Sequence, residues 1–370
     1  MKKQSQRFII SGGGTGGHIF PAIAIADALR RRMPDAELLF VGARGRMEMQ
    51  RVPQAGYAIK GLWISGFQRK LSFKNLLFPI KLIHSLIQAR SILKRFKPDL
   101  VIGVGGYASG PTLRAAVQLK IPTLIQEQNS FPGITNRLLA SKVDSICTAY
   151  DQMDQWFPKE KTVLTGNPLR KHAVQITGKR EEALKFFGMK SSQPVALIVG
   201  GSQGALAINK ALKANLDFLV QSEIQMIWQT GSFFEAEANQ IVEATGWESC
   251  FVAAFIERMD LAYAAADFVV SRAGAMAISE LAVVKKPVIF VPLPTAAEDH
   301  QTSNAKRLST AGAAEIVVNT KVEGELVPAM IAMAANESKR KQMEKAIARF
   351  ALPDADEAIV DEIEKILEIK

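Results

Sequence analysis

The feature that most restricts the fold of this chain is a unit written twice: a short apolar run, a glycine-rich loop, then a helix-forming segment. The first copy runs Arg7–Ser11 into Gly12-Gly13-Gly14-Thr15-Gly16-Gly17-His18. The second runs Pro194–Val199 into Gly200-Gly201-Ser202-Gln203-Gly204, with a helix from about Ala207. An apolar run stopped by glycines reads as a strand buried on both faces, and such strands belong to parallel sheets joined by crossover helices. Further strands are expected at Ala36–Gly42, Asp99–Val104, Pro122–Gln126 and Ser145–Thr148, with helices at Pro21–Arg32 and Pro111–Leu119. After the second copy they are expected at Met226–Gln229, Cys250–Ala253, Phe268–Ser271 and Val288–Val291. The class is therefore α/β, with two Rossmann-like doubly wound domains in tandem. A length of 370 residues agrees with this at roughly 150 residues per domain. Gly and Pro at Thr165-Gly166-Asn167-Pro168 mark the join, giving domains 1–166 and 167–353, with an amphipathic helix over 354–370 able to pack back on the first. Ligands of such sheets sit beyond the carboxyl ends of the strands, so a cleft between the two domains is expected.

Charge is distributed unevenly. The formal net charge is +10, with +15 in residues 1–170 and −5 in the remainder. No acid occurs between Glu48 and Asp99, a gap that holds ten Lys and Arg residues. One half is thus built to meet something anionic. Nucleic acid is disfavoured, because no recognised binding motif appears. Within the gap, Leu62-Trp63-Ile64, Phe67, Phe73 and Leu76–Ile80 interleave with the bases. That pattern fits a peripheral face on an anionic membrane, and equally a core helix with a solvated basic side. No run approaches the ~18 apolar residues of a spanning helix, and Met1–Arg7 is not a signal peptide. Cys147 and Cys250 are isolated in apolar runs, as expected of buried thiols in a reducing compartment.

Four segments carry candidate chemistry. The first glycine loop matches Gly-X-Gly-X-X-Gly, but the second strand ends Val41-Gly42-Ala43-Arg44 without the acid a dinucleotide ribose requires. His18 opens the following helix, where a neutral imidazole is favoured and can accept a proton; it can also merely bond the loop. Gly200–Gly204, with Asn209 beyond it, repeats the loop, and Ser202 can cap the helix or meet a phosphate. In Ser271–Glu280 a strand end and glycine turn lead into a helix carrying Glu280, suited to ribose hydroxyls or simply to the helix dipole. After Pro292-Leu293-Pro294, Gln301 and Asn304 share a helical face, with amides suited to sugar hydroxyls. The one Asp-X-Asp, Asp354-Ala355-Asp356, follows Pro353 at a helix start and reads as a cap and dipole feature, so no metal is expected.

In this order the segments resemble glycosyltransferase family 28 of the GT-B class. Gly105-Gly106-Tyr107-Ala108-Ser109-Gly110-Pro111, Glu127-Gln128-Asn129 with Gly133-Ile134-Thr135-Asn136, and Gly166-Asn167-Pro168-Leu169-Arg170 are similar to further signatures of that family, over about residues 8–315. The resemblance implies an inverting, cofactor-independent transfer of N-acetylglucosamine (GlcNAc). The donor is UDP-GlcNAc and the acceptor the C4 hydroxyl of MurNAc-pentapeptide on undecaprenyl pyrophosphate (lipid I to lipid II). It implies a donor site made by Thr15, Gly16, Gly17, Asn129, Arg170, Ser202, Gln203, Ile256, Glu280 and Gln301. Acceptor contacts fall to Gly13, Gly14, Tyr107 and Asn136, the glycine loop receiving the acceptor diphosphate. His18 and Glu127 are the base candidates. A peripheral location on the cytoplasmic face of the inner membrane follows from the same resemblance, with other cell-wall and division proteins as candidate partners. Two positions depart from the family pattern: Gln126 and Thr295-Ala296-Ala297 stand where a His is usual. Another GT-B transferase, a UDP-GlcNAc 2-epimerase and a non-catalytic binder of lipid-linked sugar remain alternatives.

Overall fold

The computed structural model describes residues 5–65, 77–169, 171–201, 204–294 and 299–369. The chain divides into two compact units, Met1–Leu169 with Leu352–Lys370, and Arg170–Ala351. The first holds seven strands: β1 Arg7–Ser11, β2 Glu37–Ala43, β3 Ala58–Leu62, β4 Leu100–Gly103, β5 Thr123–Glu127, β6 Ser145–Thr148 and β7 Thr162–Leu164. The second holds six: β8 Val195–Val199, β9 Gln225–Gln229, β10 Cys250–Ala253, β11 Phe268–Ser271, β12 Val288–Phe290 and β13 Glu315–Ile316. Their orders are β3-β2-β1-β4-β5-β6-β7 and β10-β9-β8-β11-β12-β13, and every pairing is parallel. In each sheet the strand before the glycine loop, β1 or β8, is central and lies where the strand order reverses. That is the switch point at which doubly wound sheets place their ligands.

The central strands are apolar because helices cover both faces. Phe8, Ile9 and Ile10 of β1 and Ala196, Leu197 and Ile198 of β8 are wholly buried. The strands absent from the sequence expectation, β3, β7 and β13, lie at or near sheet edges, where half-exposed residues dilute the apolar signal. The helix expected from Pro21 instead spans Gly16–Arg32 and takes in Gly16, Gly17 and His18. A first helical turn has no intrahelical partner for its N–H groups in any case, so weak helix formers are tolerated there.

The C-terminal helix, Ala355–Glu368, packs on the first helix of unit 1. Its Ile359, Val360, Ile363 and Ile366 enter the same apolar cluster as Ile25 and Leu29. Arg31 and Arg32, in the last turn of the first helix, pair across this seam with Asp356, Glu357, Asp361 and Glu364. Asp354 makes no side-chain cap bond, contrary to the expected capping role. Asp356 is buried and meets Arg31 Nη2 at 2.6 Å. The Asp-X-Asp is thus used in helix packing.

The helix Phe78–Phe96 turns only Ser85, Ala89 and Leu93 inward. Ile80, Ile83 and Ile87 are 56–65% exposed, and their spacing places them on the face opposite the buried stripe. Trp63 packs at its side, edge-on to His84 and beneath Lys81. The outer face of the helix thus mixes isoleucines with the exposed bases Arg90, Lys94 and Arg95. Phe67, Phe73 and Leu76 lie outside the described residues.

Candidate functional site

In unit 1 the glycine loop leaves β1 and is backed by a carboxylate. Glu48, 1% exposed, accepts from Gly14 N at 2.9 Å and Ala43 N at 2.9 Å. A methyl group added at Gly13 (φ +145°) would stand 2.2 Å from Glu48 Oε1, so only glycine fits. In front of the loop, Thr15 Oγ1 lies 3.2 Å from His18 Nδ1. The His18 ring covers Gly105: a methyl placed there would sit 2.9 Å from His18 Nε2 and 3.8 Å from Asn136 Nδ2. Tyr107, half exposed, faces Gly14. The fold therefore gathers Gly13, Gly14, Thr15, Gly16, Gly17, His18, Tyr107 and Asn136 around the carboxyl ends of β1 and β4.

Glu127, at the end of β5, is 1% exposed and accepts four hydrogen bonds. Oε1 takes Asn129 N (2.9 Å) and Nδ2 (3.2 Å), and Oε2 takes Gly133 N (3.1 Å) and Asn136 Nδ2 (2.8 Å). Both oxygens are committed to shaping the 127–136 loop, which leaves no exposed lone pair for a substrate proton. Asn136 is thereby held with Oδ1 buried and without a hydrogen-bond partner. Gln126 is fully buried and tied to Asn167 and Gln128 in a closed amide network. Its departure from the family's His thus falls in the core.

In unit 2 a cavity of about 760 Å³ opens at the ends of β8, β11 and β12. The glycine loop (Gly200, Gly201, Gly204), the turn at Ser271, Arg272 and Gly274, and Leu293, Pro294, Gln301, Lys210 and Asn319 line it. The loop is braced from behind by an amide: Gln229 Nε2 donates to Gly201 O at 3.0 Å, and Gln229 Oε1 accepts from Ile256 N at 3.1 Å. Ile256 is buried and joins the site through this brace. Arg272 is anchored through Nη1 to Val291 O, Pro292 O and Asn319 Oδ1, and burial lowers its guanidinium pKa. Gln301 accepts from Leu293 N, which fixes the amide at the cavity wall. Glu280 is not in that lining; it is buried and accepts from Tyr263 Oη at 2.9 Å. Asn304, one turn further along the same helix, is fully buried and does not line the cavity. Asn209 is also a brace, bonded to Thr230 O and Trp228 Nε1. Arg170, Ser202 and Gln203 lie outside the described residues.

Sequence reasoning missed Glu48, Gln229, Arg272 as a cavity residue, and Lys210. Arg272 and Lys210 carried a signal, being the bases nearest the second unit's loop and glycine turn. Glu48 and Gln229 act across the sheet and had none. Burial pushes the Cys250 thiol up to about 12 and Cys147 higher still, so both are inert. Among the described residues no group of His, Cys, Asp or Glu side chains is arranged to hold a metal ion.

Two parallel doubly wound units, each with a glycine loop at the switch point of its sheet, make up the GT-B fold. Residues 8–148 match the glycosyltransferase family 28 N-terminal domain and residues 195–359 its C-terminal domain. The chain belongs to glycosyltransferase family 28. A relative from Flavobacterium psychrophilum is 48% identical over 365 residues, 99% of each chain. One from Porphyromonas gingivalis is 52% identical over 363 residues, 98% of this chain and 96% of that relative. Both are named UDP-N-acetylglucosamine–N-acetylmuramyl-(pentapeptide) pyrophosphoryl-undecaprenol N-acetylglucosamine transferase. Among solved structures, Acinetobacter baumannii MurG superposes with a TM-score of 0.80 at 30% identity, covering 97% of this chain and 99% of that one. A UDP-GlcNAc 2-epimerase from Neisseria meningitidis shares the fold at a TM-score of 0.64 and 13% identity, over 97% of this chain and 100% of that one.

Proposed function

We propose that the chain transfers GlcNAc from UDP-GlcNAc to the C4 hydroxyl of the MurNAc-pentapeptide carried on undecaprenyl pyrophosphate. The observation that carries this reading is the end-to-end match, near 50% identity, to transferases of that name. Unit 2 supplies the donor site. Its cavity joins backbone N–H groups of a glycine loop to the cations Arg272 and Lys210, which suits a nucleotide diphosphate. Charge developing on the departing UDP is the larger electrostatic demand, and these groups meet it without reorganising. Unit 1 supplies the acceptor site. His18 takes the hydroxyl proton as the oxygen attacks the anomeric carbon, with Thr15 on Nδ1 setting the ring orientation. Glu127 holds the Asn136 amide in place beside His18. Ser202, Gln203 and Arg170 stand with the donor diphosphate, and Glu280 with the ribose. The exposed Ile80, Ile83 and Ile87, beside Lys81, Arg90 and Lys94, form a peripheral face for an anionic membrane on the side where lipid I is presented.

Purified protein is incubated with UDP-GlcNAc and a short-chain lipid I analogue in EDTA, and the disaccharide product is followed. Product is expected; none, or a strict requirement for a divalent ion, would overturn the reading. Sedimentation with anionic and with neutral vesicles checks the membrane face. The Ile83→Glu/Ile87→Glu double variant is expected to lose anionic-vesicle binding while keeping turnover of the soluble analogue.

A further inference from the structure

The two loops in front of β1 and β8 share a pattern, yet only the first has an acid built into its back. Glu48 is almost wholly buried, and its two oxygens accept from Gly14 N and Ala43 N. Gly13 and Gly42 leave room for it: added methyl groups would stand 2.2 Å from its Oε1 and 2.5 Å from its Cγ. Gly106 closes the loop from the other side, where an added methyl would come within 2.2 Å of Gly13 O. The loop is therefore clamped between β4 and a carboxylate. A successive run of backbone N–H groups is ordinarily an anion cradle. Here an anion is already supplied by the chain itself.

We propose that Glu48 is a positioning and specificity residue, one that fills the inner anion position of the first glycine loop. The loop then presents its outer donors, next to His18, to uncharged sugar hydroxyls, and phosphate groups are turned away. The inference rests on the transferase reading above and changes one part of it. The acceptor diphosphate expected on this loop meets a donor already engaged and a like charge behind it, so it binds elsewhere on the protein. Unit 2 gives the internal control: its loop is backed by the neutral Gln229 and opens on Arg272 and Lys210, as a diphosphate site requires.

The test uses inorganic pyrophosphate as the probe, on protein saturated with UDP so that the donor cavity is occupied. Glu48→Gln keeps the volume and removes the charge, at the cost of one of the two bonds, since its NH2 group cannot accept from a backbone N–H. Pyrophosphate is expected to raise the unfolding midpoint of E48Q at concentrations about tenfold below those needed for wild type, the size of a like-charge interaction across roughly 10 Å at an effective dielectric of about 20. In turnover, pyrophosphate competes with the acceptor at correspondingly lower concentrations in E48Q than in wild type, while the donor KM stays put, a split that general damage to the fold does not produce. Equal pyrophosphate binding by both proteins overturns the proposal. If E48Q does not fold, Glu48→Ala takes its place in the same titration against wild type, with the same two outcomes. If wild type transfers no sugar at all, the transferase reading fails, and the pyrophosphate titration, which needs no turnover, still judges Glu48.

Discussion

The two glycine loops occupy equivalent places in their sheets and differ in what stands behind and in front of them. The first has the Glu48 carboxylate behind and an imidazole, a phenol and a carboxamide in front. The second has the Gln229 carboxamide behind and two cations in front. One backbone pattern thus serves two electrostatic tasks, and the distinction is made by side chains from neighbouring elements. A glycine loop on its own says that something polar will approach the backbone. The groups around it decide whether that something is charged.

The contrast can be broken at several points. Replacing His18 with Ala should be the most costly, lowering kcat by about 10² to 10⁴ with the donor KM unmoved; a kcat within a few-fold of wild type would place the base elsewhere. Gln229→Glu gives the second loop an acidic back like the first. It removes the bond to Gly201 and sets a negative charge behind the donor diphosphate, so the donor KM should rise about 30-fold and the acceptor KM should not. Initial-rate kinetics with each substrate varied separates the two. Alanine at the two loops compares their packing. Gly13→Ala meets Glu48 and should cost about 3 kcal/mol. Gly201→Ala has open space around it and only a positive φ of 86° to bear, which costs about 1 kcal/mol. Denaturant unfolding should rank them in that order. The smallest effect concerns acid stability in unit 2. Hydrogen bonds from Arg258, and then Lys179, hold the Asp260 carboxyl well below the usual carboxylate range, against the opposing effect of burial. Its contribution is complete above an unfolded pKa of about 3.9 and is lost as pH falls toward the folded value. Stability should therefore drop more steeply below about pH 4 in wild type than in Asp260→Asn.

The sheets were legible because most of their parallel strands are nearly pure apolar runs. Arg7–Ser11, Ser145–Thr148, Cys250–Ala253 and Phe268–Ser271 are strands in the places expected. The edge strand Ala58–Leu62 was not, since burial on it alternates and Lys60 and Gly61 interrupt the run. Site residues lying in a loop's own sequence, such as His18, could be found by pattern. Glu48 and Gln229 could not: they reach the loops from neighbouring strands and helices, 34 and 28 residues away in the chain. Glu127 illustrates the reverse difficulty. A signature gives its position, but whether it serves as base or clamp depends on the four donors around it.

The return of the C-terminal helix to unit 1 has a consequence for the order of assembly. Ile359, Val360, Ile363 and Ile366 belong to the core that β1 begins, yet they leave the ribosome after the whole of unit 2. During synthesis, the part translated first is the part completed last. Until that helix emerges, Ile25 and Leu29 lack a wall and the arginines at the end of their helix lack partners. A chain that stops after unit 2 therefore carries a half-built, basic N-terminal unit and a C-terminal one with all its elements. Released chains that end at residue 351 should show that unit 2 resists protease and unit 1 does not.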